Sequence, residues 1–301
     1  MLKIKEDMIY LQIVGLSYQK RWYYFAFYLK LANKLELDQQ MLVDFLIKKG
    51  IWQEKEQTVF QAWRQHYPLV RRLKNQCLFI LDSLYPSLWK QLPQPPITIF
   101  YKGDLSLLRM PLITIVGSRK LSNYGYKVAC DLSKILVENG WITVSGLAKG
   151  ADYQVHKAGC QYRKGSTIGI IATGFDRYYP TEHYTLQEII GQKHLLLSEY
   201  LPMQRARKHH FIARNRLLAG MSPATIVIQA AKQSGSLITA NYALDYNRTV
   251  YAVPGPITDN QSYGCNQLIS AGAIPVIGLK ELVSDLKQFY FNQGFYFNHL
   301  A

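Results

Sequence analysis

The stretch Leu112–Gly125, LITIVGSRKLSNYG, runs from an apolar, β-branched segment into a glycine, a polar loop and a second glycine. Residues in that order bring a phosphate to the start of a helix. Glycine lets the backbone approach an anion, and the N–H groups and dipole of a helix N-terminus hold it. The familiar nucleotide loops do not fit. A GxGxxG loop beginning at Gly117 needs glycine at 119 and 122, where Arg119 and Ser122 stand, and no GxxxxGK[ST] occurs.

Similar loops follow other apolar runs. VSGLAKGAD supplies Ser145, Gly146, Lys149, Gly150 and Asp152. ATGFDRYYPTEH carries Thr181, and SEYLPMQRARKHHFIARNRLLAG carries Arg205, Arg207, Lys208, Arg214, Asn215 and Arg216. QAAKQSGSLITA places Ser234, Gly235 and Ser236 at a helix start. In an open parallel sheet such loops gather at the carboxyl ends of the strands. Together with Gly117, Ser118, Arg119 and Lys120 they would hold several phosphates in a row. Each piece also has a plainer reading: a common βα turn, a solvated charge run, or, for Asp152, a helix cap. No GxSxG elbow or paired carboxylates stand out, so no catalytic residue is assigned. His209 and His210 are adjacent, hence not on one helix face, and no metal site or cofactor is expected.

The elements that must position these loops are legible. Apolar strands are expected at 112–117, 142–145, 167–172, 194–198, 225–229, 249–253 and 274–277, with helices in most gaps. The clearest helix spans 123–139. Gly125, Val128, Ala129, Leu132, Ile135 and Leu136 share one face, Ser122 or Asn123 caps its start, and Gly140 lies past its end. Apolar strands alternating with helices predict a parallel sheet covered on both faces, an α/β class. Residues 1–85 read as a small all-helical domain: Trp22, Phe25, Leu29 and Ala32 fall at helical spacing, as do Leu42, Phe45 and Leu46 before Gly50. Residues 86–111, with Pro93, Pro95 and Pro96, read as a linker leading into the sheet. The sheet domain is expected over 112–288, with an aromatic tail at 289–301.

The chain has 301 residues, 35 Lys and Arg against 20 Asp and Glu, and a net charge of +15. That excess suits a polyanionic partner such as nucleic acid. No long apolar run or signal-peptide core is present, so no membrane span is expected. Cys77, Cys130, Cys160 and Cys265 are in no CxxC pair, and free thiols in a cytoplasmic protein are expected.

Taken together, GSRKLSNYG, SGLAKGAD, TGFDRYYP, LSEY, ARNRLLAG, SGSLITA, AVPGP and GCNQLISAGA resemble the DNA processing protein A family, also called DprA or Smf. The resemblance runs from Tyr85-Pro86 to about Ile277. It implies an extended Rossmann-like domain that binds single-stranded DNA, forms a homodimer and loads a RecA-type recombinase during natural transformation, with no enzymatic activity. The helical segment is similar in length and texture to the family's SAM-like domain. The motif match carries phosphate contacts to Ser118, Arg119, Gly146, Arg214, Asn215, Gly235 and Ser236, and a dimer interface to Leu268, Ile269 and Ile274. The chain departs from the pattern at Ile212, where relatives often have proline, at Thr181, where lysine is frequent, and at Asn247, where glycine is usual. A related Rossmann group, the nucleotide 5′-monophosphate phosphoribohydrolases, supplies the enzymatic alternative. Its PGGxGTxxE loop carries a glutamate used in catalysis. The comparable loop here, SGSLITANYALDY, has no acid before Asp245.

Overall fold

The computed structural model describes residues 2–31, 39–48, 56–292 and 294, which divide into two compact units. Residues 1–83 with 96–100 form the first, and residues 84–95 with 101–301 the second.

Unit 1 holds α1 (Leu2–Ile13), α2 (Tyr18–Leu31), α3 (Gln39–Lys48) and α4 (Glu56–Lys74). Ile4, Met8 and Leu11 form the buried stripe of α1, against Tyr24, Phe25 and Tyr28 of α2. Ile9 and Tyr10 are buried as well, so α1 is enclosed on more than one side. Within this core Asp7 accepts from Lys3 Nζ at 2.6 Å and from the Tyr24 hydroxyl at 2.8 Å. Burial pushes its carboxyl above the usual range, and Lys3 opposes the shift. Ala32 and Gly50 of the expected helical pattern lie outside the described residues.

The expectation of helix alone up to residue 85 needs correction. Cys77–Phe79 is a strand, β1, paired antiparallel with the start of β2 (Thr98–Gly103) through Cys77 opposite Phe100 and Phe79 opposite Thr98. An apolar run this short carries no period by which helix and strand differ. The segment read as a linker is ordered too. Pro86 precedes the one-turn α5 (Ser87–Lys90), whose Trp89 is buried and donates through its indole N–H to the Leu217 carbonyl at 2.9 Å. The three prolines fall between α5 and β2, where no ladder N–H is needed.

Unit 2 contains seven parallel strands: β3 (Leu112–Val116), β4 (Ile142–Ser145), β5 (Thr167–Ile171), β6 (Leu195–Ser198), β7 (Ala224–Val227), β8 (Thr249–Ala252) and β9 (Ile274–Pro275), in the order β6-β5-β4-β3-β7-β8-β9. In register, Thr114 lies opposite Thr225 of β7 and Leu112 opposite Ile142 of β4. The connecting helices are α6 (Asn123–Glu138), α7 (Ala151–Tyr162), α8 (Tyr184–Lys193), α9 (Lys208–Met221), α10 (Gly235–Asp245), α11 (Tyr263–Ser270) and α12 (Leu279–Asn292). Alternate residues of β3 serve opposite faces. Ile113 and Ile115 join a core cluster with Leu132 and Leu136 of α6, Val155 of α7 and Leu286 of α12. Thr114, pointing the other way, donates its hydroxyl to the Leu218 carbonyl of α9 at 2.9 Å.

Ser122 caps α6, accepting from Gly125 N at 3.2 Å, and Gly140 beyond its end takes φ +90°. Strand β9 stops at Pro275, shorter than the expected 274–277. The expected tail begins inside α12: Tyr290 is buried and donates its hydroxyl to the Leu112 carbonyl. Residues 295–301 lie outside the described residues. All four cysteines are free, Cys77 and Cys265 buried, Cys130 and Cys160 partly so. The chain lays β3 to β6 outward on one side, then returns to place β7 on the other side of β3. The order reverses between β3 and β7, where doubly wound folds bind ligands.

Candidate nucleic-acid interface

A groove of about 730 Å³ opens at that switch point, walled by the loops after β3 and β7 and by the first turns of α9. Its charged lining is Arg119, Lys120, Arg207, Lys208 and Arg214 against one acid, Asp152. Arg119, Lys120, Arg207 and Lys208 are exposed, whereas Asp152 is buried. The accessible charge is therefore wholly positive, as a polyanion requires.

The β3 loop is held from below. Ser118 is buried, and its hydroxyl donates to Gln261 Oε1 at 2.5 Å and accepts from Lys120 N at 3.0 Å. That turn projects Arg119, whose guanidinium lies 5.6 Å from the Phe211 ring centroid, in cation–π range. Tyr179 lies beside Phe211, ring centroids 4.9 Å apart. Gln229 connects three loops. Its Oε1 accepts from Ser122 N at 3.0 Å, and its Nε2 donates to the Ser122 hydroxyl at 2.9 Å and to Asp259 Oδ2 at 3.3 Å. At the opposite wall Ser234 caps α10, accepting from Ser236 N, and Gly235 is exposed. Asn215 Nδ2 donates to the Gly235 carbonyl at 3.2 Å, which joins α9 to this turn.

Arg214 forms the floor. Its side chain is only 4% exposed, and Nη1 donates to the Ile170 carbonyl at 2.9 Å. Burial lowers its pKa, and Asp152 nearby opposes the shift. Burial likewise raises the Asp152 carboxyl, opposed by Arg214 and by the Ala148 N–H at 3.3 Å. Gly146 makes this possible, because a Cβ there would coincide with the Arg214 guanidinium.

Of the residues expected at the site, Gly117, Ser118, Arg119, Lys120, Arg214, Asn215, Ser234, Gly235 and Ser236 line the groove. Ser145 does not: it sits inside β4, fully buried, its hydroxyl donating to the Ile115 carbonyl at 2.7 Å. Gly146 serves from beneath, as the space for Arg214. Arg216 is also placed away from the groove. Its Nη2 donates to both carboxylate oxygens of Glu199, at 2.7 and 2.6 Å, and its Nη1 to the Gln94 carbonyl at 2.7 Å, so its charge is already committed. Lys149 and Thr181 lie outside the lining, on exposed surface, with Lys149 paired to Glu182 at 2.5 Å. Of the expected dimer residues, Leu268 is buried and Ile269 half-buried, whereas Ile274 on edge strand β9 is 40% exposed and Ile277 beyond it 81%.

Gln229, Gln261, Tyr179 and Phe211 belong to the site without having been expected there. A lone glutamine ending the apolar run ATIVIQ was the available signal for Gln229; Gln261 had none in the sequence. Among the described residues no group of three His, Cys, Asp or Glu side chains could hold a metal ion. His210 is buried, stacks on Tyr200 at 4.0 Å, and its Nδ1 lies 3.2 Å from the Ala172 carbonyl. Among the described residues no helix is long and apolar enough to cross a membrane.

Comparison with known proteins bears on this groove and sheet. The model of the DNA recombination-mediator protein A family matches residues 76–287. DNA processing protein DprA of Streptococcus pneumoniae is 42% identical over 210 residues, 69% of this chain and 73% of the relative. DprA of Bacillus subtilis is 41% identical, covering 69% and 70%. The X-ray structure of the Streptococcus pneumoniae protein superposes with a TM-score of 0.79 at 34% identity, over 93% of this chain and 97% of that one. A Helicobacter pylori DNA processing protein A structure, reported for its single-stranded DNA binding mode, gives a TM-score of 0.64 at 29% identity, over 70% and 95%. The family match spans the strands, the switch point and every residue of the groove, and the chain belongs to the DNA recombination-mediator protein A family.

Proposed function

We propose that this chain is a cytoplasmic protein that binds single-stranded DNA along the switch-point groove, protects it, and as a homodimer loads a RecA-type recombinase onto it during natural transformation. The observation that carries this reading is the groove's charge: four accessible cations on its walls, with the one acid buried beneath. The walls add cap hydroxyls, a helix N-terminus and two aromatic rings, the chemistry that takes a strand's phosphates and tolerates any base. The Helicobacter pylori relative described for its single-stranded DNA binding supports the same assignment. Ser118, Arg119, Lys120, Arg207, Lys208, Arg214, Asn215, Ser234, Gly235 and Ser236 are the residues we assign to it. The enzymatic alternative, hydrolysis of a nucleotide 5′-monophosphate, is disfavoured because the turn at Ser234–Ser236 offers no carboxylate.

Fluorescence titration with a labelled single strand and its matched duplex, at several salt concentrations, tests this. The expected result is tighter binding of the single strand and a steep negative salt slope. Equal affinity for both would overturn the preference, and release of adenine from AMP would favour the enzyme. Filament assembly by a RecA-type recombinase on DNA coated with a single-strand-binding protein tests the loading step, which should accelerate when this protein is added.

A further inference from the structure

Unit 1 carries a second concentration of cations, outside the residues that match the family model. Helix α4 packs inward through Trp63, Val70 and Leu73. The helical period sets Gln61, Arg64, Gln65, Arg71 and Arg72 on the opposite face, and all five are exposed. From Gln57 to Leu81 the chain contains no Asp or Glu. Other cations of this unit are paired, among them Lys3 with Asp7, Lys5 with Asp82 and, on the inner side of α4, Lys74 with Glu6. Arg64, Arg71 and Arg72 make no ion pair with a described residue.

We propose that this face of α4 is a second nucleic-acid surface, one that grips the phosphate backbone. Guanidinium forks match phosphate oxygens, and the neighbouring glutamine amides add donors. Arg64 and Arg71 are two turns apart, about 10 Å along the axis. A membrane is a poorer fit, because a helix lying in a lipid interface turns its apolar stripe outward and that of α4 is buried. An acidic protein is also a poorer fit, because protein interfaces centre on aromatic or apolar anchors and the described residues of this face include no aromatic or large apolar side chain. The same lack of rings removes base stacking, so the surface holds single strand and duplex alike. That separates it from the groove in unit 2.

The test is titration of the full chain with labelled oligothymidylate and with a labelled duplex, comparing wild type, the triple variant Arg64→Gln, Arg71→Gln, Arg72→Gln, and Arg119→Ala. The triple variant should lose roughly tenfold or more in affinity at low salt for both ligands. Its salt slope should fall by about 2 for the single strand and about 3 for the duplex, the share of three phosphate contacts. The matching triple lysine variant should keep the wild-type salt slope, because each lysine still neutralises a phosphate. Arg119→Ala should weaken the single strand and spare the duplex, so failure of the groove reading shows in that variant and failure of this proposal in the triple. A triple variant that melts as wild type and keeps both affinities and slopes overturns the proposal. So does unchanged DNA binding together with lost sedimentation on phosphatidylserine vesicles. If the triple variant fails to fold, the single changes Arg64→Gln and Arg71→Gln each read about a third of the slope, and no change in either overturns it equally.

Discussion

Gly146 and Arg214 share one space: the guanidinium of Arg214 fills the volume that any side chain at position 146 would need. Gly146→Ala should therefore push Arg214 off the Ile170 carbonyl and away from Asp152. Overpacking of this kind costs about 1–3 kcal/mol. The loosened floor should also weaken DNA binding, although residue 146 itself is not among the residues lining the groove. A thermal melt and a DNA titration on the same sample check both effects. Unchanged values in both would show that the floor accommodates the methyl group.

Arg119 is the converse case, an exposed side chain that lies over the Phe211 ring. Arg119→Ala should leave the melt unchanged. Losing a charge-assisted hydrogen bond costs about 1.5–3 kcal/mol, roughly 10- to 100-fold in affinity for single-stranded DNA. A dissociation constant equal to that of wild type would remove Arg119 from the site.

His156 ties stability to pH. It is fully buried, with Nδ1 2.7 Å from the Thr167 hydroxyl, and burial lowers its pKa from 6.5 to about 3. The folded state keeps the ring neutral while the unfolded chain takes up a proton. The stability this contributes is present above about pH 6.5 and is lost progressively as pH falls towards 3, a loss on the order of a few kcal/mol. His156→Asn should be less stable than wild type at neutral pH, with the gap narrowing in acid. Thermal melts at about pH 7 and about pH 4 measure it. A constant gap would mean that the ring does not titrate on unfolding.

The edge of the sheet tests assembly. Ile269 is half-buried and Ile274 lies exposed on β9. In a two-fold interface each residue faces a symmetric copy of the patch, so a new charge there meets its own copy. Ile269→Glu and Ile274→Glu should each give folded monomers that bind DNA more weakly, read by light scattering and titration. Leu268→Glu should instead unfold the chain, because Leu268 is buried within one copy. A monomeric wild type at micromolar concentration would rule the dimer out.

Much of unit 2 was legible because its signals are local. The Ser122 cap, the period of α6 and the apolar runs of β3 to β8 each occupy a few adjacent residues. The loops after β3 and β7 could be read as neighbours because strand ends collect loops in any parallel sheet. What stayed hidden depends on contacts distant in sequence. Arg214 and Arg216 look alike in the run ARNRLLAG. One is drawn under the groove by the empty space at Gly146, the other turned away to Glu199 and Gln94. Ser145 carries the same hydroxyl as Ser118 but spends it inside the sheet on the Ile115 carbonyl. The strand Cys77–Phe79 exists only because β2, beyond four prolines, returns to pair with it.

The amide of Gln229, bonded at once to Ser122 and Asp259, fixes the loops after β3, β7 and β8 to one another before any ligand arrives. Their conformational freedom is surrendered during folding, so none of it is charged against association. A strand reaching the groove meets a finished surface. Capture should then proceed at the rate of diffusional encounter, helped by the positive field, and residence time becomes the quantity that side-chain changes tune. Loosening this clamp with Gln229→Ala would shift part of that burden onto the arrival step, slowing association while every cation on the walls stays in place.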